Sequence, residues 1–161
     1  MDDILNILTR DGRATPASIA AMTGACETDV RAAIEKYERD GTILRYRAVL
    51  NSERIAETTG RVRAWIEVNI TPQRALGFDA IAERIYKFPE VKNCYLLSGG
   101  YDLLLLVECD SLREVGSFVS EKLAPMDNVT RTATHFLLKV YKENDDIVHL
   151  AESGKKLAVS P

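Results

Sequence analysis

The sequence predicts an α+β protein in two parts, and two observations carry that expectation. Through residues 4–39 apolar residues recur at helical spacing, with a capping residue or a glycine near each helix end. From residue 61 the period drops to two, and strands then alternate with two amphipathic helices in the order β-α-β-β-α-β. Composition agrees: 46% of the 161 residues are apolar and 28% charged, an ordinary globular balance rather than that of a disordered chain.

Ile4, Leu5 and Leu8 begin the first helix, and Asp11-Gly12 follows it. Thr15-Pro16 supplies an N-cap and a proline at the first helical position for a second helix, Ala17–Thr23, which stops at Gly24. The third helix is expected from Glu27 to Arg39, with Val30, Ile34 and Tyr37 forming one buried stripe before Asp40-Gly41. Two helices joined by Gly24-Ala25-Cys26 make a helix-turn-helix. Thr42–Leu50 then alternates like a strand and carries Arg45 and Arg47, as the wing of a winged helix would.

Residues 51–60 are polar and read as a linker, with a short helical turn around Arg54–Ala56. Val62, Ala64, Ile66, Val68 and Ile70 alternate with polar neighbours and with Trp65, so a half-buried strand is expected. Phe78–Phe88 reads as a helix, and Val91–Leu97 and Tyr101–Cys109 as strands bracketing Ser98-Gly99-Gly100. Ser111 and Glu114 have capping-box spacing at the head of a helix over Leu112–Leu123, and Val129–Tyr141 is the last strand. This order predicts a ferredoxin-like sheet with both helices on one face. The domains are therefore 1–50, a winged helix-turn-helix; 51–60, a linker; 61–142, the ferredoxin-like module; and 143–161, a tail that either frays or adds a strand on a partner subunit.

Several function classes fall away. No apolar run nears the roughly 20 residues that span a bilayer, and the acidic start Met1-Asp2-Asp3 is unlike a secretory signal, so a cytoplasmic protein without membrane contact is expected. Cys26, Cys94 and Cys109 lack CxxC spacing, which argues against disulfides and structural zinc. His135 and His149 read as surface or satisfied residues. The net charge of −3 gives no global field for nucleic acid, so any DNA contact needs a local basic patch.

Four stretches resemble one family. Asp11-Gly12-Arg13, Ile19-Ala20, the run from Val30 through Ile34-Glu35 to Glu38-Arg39-Asp40-Gly41-Thr42-Ile43, and Ser98-Gly99-Gly100-Tyr101-Asp102-Leu103 stand in the order and spacing of the Lrp/AsnC (feast/famine) transcription regulators. The resemblance spans residues 1–142. It departs at Ala33, where the family usually has arginine, at Cys26 in place of a capping serine, and at Tyr37 in place of leucine. It implies a regulator of RAM-domain type that binds double-stranded DNA and an amino acid or related metabolite. That effector would sit at an interface of a homo-oligomer (a dimer, then a tetramer or octamer).

With Val30, Ile34 and Tyr37 buried, the third helix presents Glu27, Thr28, Arg31 and Glu35. A recognition helix reads base edges with its N-terminal residues, so Arg31 suits a guanine edge or a phosphate and Thr28 a phosphate or a thymine methyl. Arg13, Arg45 and Arg47 would hold the backbone on either side. Residues 1–50 carry seven cations against eight carboxylates, so one copy should bind weakly and several copies together more tightly. At Ser98-Gly99-Gly100-Tyr101-Asp102 the glycines either make a tight turn or let backbone amides approach a ligand carboxylate, with Asp102 accepting its ammonium. The resemblance pairs this loop with Thr132 and Thr134.

Two other classes stay open. One is an amino-acid sensor with weak or lost DNA binding, for which Ala33 and the acidic third helix speak. The other is an enzyme like the siroheme decarboxylases, which share the two-part architecture. No catalytic residues, metal ligands or cofactor are expected, because no carboxylate pair, nucleophile motif or metal cluster is legible in the sequence.

Overall fold

The computed structural model describes residues 2–50, 55, 60–71 and 77–148. They fall in two compact units, Met1–Leu50 and Asn51–Pro161.

The first unit holds α1 (Asp3–Arg10), α2 (Pro16–Thr23) and α3 (Glu27–Arg39). Asp2 caps α1 by accepting from the Ile4 amide at 2.9 Å, and Thr15 Oγ1 accepts from the Ser18 amide at 3.2 Å at the head of α2. Gly24 ends α2 with φ of 72°, the left-handed turn that favours glycine. Ile19, Ala20 and Val30 form the core, with Ile4, Ile7, Leu8, Ala14 and Ile34 around them. Positions 4, 7 and 8 are one helix face, so Ile7 rather than Leu5 completes the stripe of α1. Tyr37 is half-buried, and its hydroxyl donates to Asp2, tying the end of α3 to the start of α1. That bond holds the Asp2 carboxyl below its usual range.

The expected wing strand does not form. Thr42–Leu50 pairs with no strand among the described residues, and Leu44 is 88% exposed. A strand is stabilised by its neighbour, and no second strand lies among the described residues of this unit. The segment leans on α3 instead: the Ile43 amide donates to the Tyr37 carbonyl at 2.8 Å and the Tyr46 hydroxyl to Glu38 at 3.1 Å.

The second unit contains β1 (Val62–Ile70), α4 (Asp79–Tyr86), β2 (Val91–Leu96), β3 (Leu103–Cys109), α5 (Leu112–Ser117), a π-helical stretch (Phe118–Leu123) and β4 (Val129–Phe136). The strands make one antiparallel sheet in the order β2-β3-β1-β4, the ferredoxin-like arrangement expected. Ala64, Ile66 and Val68 of β1 and Leu103, Leu105 and Val107 of β3 are fully buried beneath Ile81 and Ile85 of α4 and Val115 of α5. Each such side chain contributes about 1.5–3 kcal/mol through burial.

Three elements are shorter or altered. The second helix of this unit changes to π geometry at Phe118, which puts both Phe118 and Leu123 in the core and sets Phe118 edge-on to Phe88 with ring centroids 5.7 Å apart. Strand β4 ends at Phe136 rather than Tyr141, although the Leu137 amide still reaches the Arg63 carbonyl at 2.8 Å. The tail begins with a small hairpin, β5 (Lys142–Glu143) and β6 (Asp146–Ile147), turned at Asn144 and Asp145 with positive φ. Short polar side chains tolerate that conformation. The expectations for Arg54–Ala56, apart from Ile55, for His149 and for the tail beyond residue 148 fall outside the described residues.

Lys122, in the π-helical stretch, pairs with Glu90. The ammonium holds the Glu90 carboxyl below its usual range, although burial of its second oxygen, unpaired among the described residues, opposes this. A lowered folded-state value stabilises above the unfolded carboxyl's range near about pH 4.3, and the gain disappears as pH falls through the folded value. Lys122→Met is therefore expected to lose less stability than the wild type between about pH 5 and pH 3, as read from urea midpoints. Parallel acid limbs would show that the pair contributes nothing.

Candidate nucleic-acid and effector sites

At the head of α3 Val30 is buried, and Glu27, Thr28, Asp29, Arg31 and Glu35 are all exposed. Three of these are already engaged. Arg31 Nη2 donates to Glu27 Oε1 at 2.7 Å, an i,i+4 ion pair, and Thr28 Oγ1 lies 3.0 Å from Cys26 Sγ. Cys26 occupies the N-cap position without capping a backbone amide through its side chain. Its contact with Thr28 holds the exposed thiol below the usual range. Arg13 projects almost fully into solvent, 4.0 Å from Asp11, and Arg45 and Arg47 are exposed on the unpaired segment after α3. The head of α3 thus offers one guanidinium with a carboxylate attached to it.

In the second unit the loop between β2 and β3 lies at one end of the sheet. The Leu97 amide donates to the Asp102 carbonyl at 2.9 Å, and the Asp102 amide to the Val68 carbonyl at 3.0 Å. Asp102 Oδ2 accepts from the Ile70 amide at 2.7 Å, and Asn69 Nδ2 donates to the Gly100 carbonyl at 3.0 Å. Asp102, the expected acceptor for a ligand ammonium, thus already spends one oxygen on fastening the loop to β1. Neither Gly99 nor Gly100 has a left-handed φ, and a Cβ built on either meets nothing within 4 Å. The turn joining β2 and β3 therefore does not demand glycine at either position. Their amides and that of Tyr101 donate to no acceptor among the described residues.

Thr132 pairs with Val68 across β1 and Thr134 with Ile66, so both half-buried threonines share the helix-side face. The loop and Thr132 flank the same stretch of β1, one strand apart on each side, so about 10 Å separates them. Asn69, Ile70 and Thr130 belong to this end of the sheet and escaped the sequence reading. No local pattern marks them, because they meet the loop only through strand pairing.

A profile of the Lrp/AsnC ligand binding domain matches residues 63–147. The chain is 40% identical over 159 residues to the uncharacterized HTH-type transcriptional regulator YugG of Bacillus subtilis (strain 168), covering 99% of this chain and 95% of that protein. The chain belongs to the Lrp/AsnC family of transcriptional regulators. Among solved structures, the regulator NMB0573 of Neisseria meningitidis in complex with L-Met is 26% identical with a TM-score of 0.68, covering 88% of this chain and 89% of that one. The AsnC protein of E. coli, at 20% identity and a TM-score of 0.66 over 86% and 89% of the two chains, shares the fold. These Lrp/AsnC relatives are regulators, not decarboxylases, so the enzyme reading lapses. No helix among the described residues is long and apolar enough to cross a membrane.

Proposed function

We propose that this Lrp/AsnC regulator reads DNA with a winged-helix-type head, 1–50, and uses its sheet domain to assemble copies and hold a free amino acid. The observation that carries the effector half is the Gly99-Gly100 pair. Neither glycine serves a backbone conformation or a close contact of the chain itself. The room they leave, beside three amides without acceptors, suits a carboxylate from outside. Ser98, Gly99, Gly100, Tyr101 and Asp102 form the cradle, and Thr132 and Thr134 serve the ligand from across β1 or across a subunit interface. A complex with L-Met in a relative supports the ligand class. Calorimetric titration of the twenty amino acids, with particle mass measured in parallel, tests this; silence from all twenty would remove it.

Copies assemble through the sheet face that the helices leave open, with Trp65 as anchor, into a dimer and then larger rings or pairs of dimers. The protein works in the cytoplasm, where DNA and free amino acids are both at hand. On the DNA side, Arg31 and Thr28 contact the major groove and Arg13, Arg45 and Arg47 the backbone. Arg31 must first leave Glu27, and exposed ion pairs of this kind hold by only about 0.3–0.5 kcal/mol, so the release is cheap. Arg31→Ala is expected to weaken specific binding by about 1–3 kcal/mol, and Glu27→Gln to strengthen it. Gel shifts at fixed low salt on the protein's own promoter and on random DNA measure both; an equal loss on the two DNAs would make Arg31 a phosphate contact only. A second reading, a sensor that no longer binds DNA, is favoured by the carboxylates crowding α3. It predicts no shift with any neighbouring intergenic DNA at micromolar protein.

A further inference from the structure

The peptide unit joining Gly100 to Tyr101 is held on one side and open on the other. Its carbonyl accepts from Asn69 Nδ2 at 3.0 Å. Its amide, that of Tyr101, has no acceptor among the described residues. A trans peptide is a rigid plane with C=O and N–H pointing in opposite directions, and no peptide bond among the described residues is cis. Drawing the carbonyl toward Asn69 therefore aims the Tyr101 N–H away from the end of β1.

We propose that Asn69 is a positioning residue for effector binding: by holding the Gly100 carbonyl it presents the Tyr101 amide to the carboxylate of an amino acid. The proposal rests on the loop being the effector site, as argued above. The strand end is built for this task. The register of β1 against β4 shifts between Asn69 and Ile70, where Thr130 of β4 is left without a partner on β1. The hydroxyl of that same Thr130 donates to the Asn69 carbonyl at 3.2 Å, which fastens β4 to β1 at the shift. The Ile70 amide goes to Asp102. The loop is thus pinned at residues 100 and 102, and the free amide of Tyr101 lies between the pins. An amide aimed in advance costs no ordering when the ligand arrives. Asparagine is also poorly suited to strands, so packing of the sheet gives no reason for it here.

Recognition of this kind acts on the carboxylate whatever the ligand's side chain, and that distinguishes it from a role in folding. L-methionine and L-methioninol, which lacks the carboxylate, are to be titrated calorimetrically into the full-length wild type, Asn69→Ala and the isosteric Asn69→Asp. The wild type is expected to prefer methionine. Both variants are expected to lose about tenfold or more of that preference, with methioninol affinity, melting temperature and particle mass unchanged. Equal weakening toward both ligands, or unchanged preference, overturns the proposal.

Binding of neither ligand by the wild type tells against methionine as the effector, and the role of Asn69 is then read without ligand. Gly100-Tyr101 is the only Gly–Tyr peptide in the sequence, so ¹³C′-glycine and ¹⁵N-tyrosine labelling isolates its resonance. Asn69→Ala should shift that resonance and drop its amide order parameter from the rigid range to below about 0.6. An unmoved, still rigid amide overturns the proposal.

Discussion

Trp65→Asp is expected to yield a folded protein that no longer pairs with a second copy. Trp65 stands on the outward face of β1, opposite Leu106 of β3 and His135 of β4. Leu104 and Tyr95 share that face on β3 and β2. Both helices lie on the other side of the sheet, and within one chain Tyr95 is exposed, Trp65 and Leu104 are half-buried and Leu106 is buried. A two-fold interface uses the same patch twice, so one substitution counts twice. Truncating a central tryptophan typically costs about 2 kcal/mol or more, so two copies lose about 4 kcal/mol, near a thousandfold in dimer affinity. The added carboxylates oppose each other besides. Sedimentation velocity reads the mass, and far-UV circular dichroism checks the fold. DNA affinity is expected to fall with the mass, by the 10²–10⁴ that linkage of two weak modules supplies, about the size of the effective-concentration term. A Trp65→Asp protein that stays dimeric at the wild-type dissociation constant would place the interface elsewhere.

Gly100→Val is expected to separate effector binding from folding. The backbone at Gly100 is not left-handed, and a Cβ there meets open space. Urea midpoints should therefore move by no more than about 0.5 kcal/mol, as for other surface substitutions. A valine side chain would fill the space through which a carboxylate approaches the Gly99, Gly100 and Tyr101 amides. Losing hydrogen bonds to a charged group and adding a clash should together cost about 3 kcal/mol, or more than a hundredfold in affinity. Calorimetry with the wild type's preferred amino acid reads the loss. Wild-type affinity in Gly100→Val would show that the ligand does not approach this loop; a large loss of stability would show that the glycine serves the fold after all.

Legibility followed locality. The bounds of α3 were readable because its stripe and its stop at Asp40-Gly41 lie within a few residues of each other. The alternation of β1 named its buried face directly. The wing failed because alternation in Thr42–Leu50 indicates what a strand would do given a partner, and within this unit none is present. The π stretch was invisible for a related reason. A helix over Leu112–Leu123 satisfies local propensity, whereas the widening at Phe118 follows from seating both Phe118 and Leu123 in the core. Of the candidate site residues, Gly99, Gly100 and Tyr101 stand out as a contiguous motif, but Asn69, which holds the Gly100 carbonyl, lies thirty-one positions away.

Caps, glycine stops and the change of period from helical to alternating are written in neighbouring residues, and they determined the α+β class, the division near residue 50 and the family. Pairing across the sheet decided the rest: that Asp102 fastens the loop, that Thr132 lies across β1 from it and that the two glycines stand in open space. Those are properties of register and side-chain choice among competing partners, set by which distant groups burial brings within hydrogen-bond reach, and no stretch of neighbouring residues encodes them.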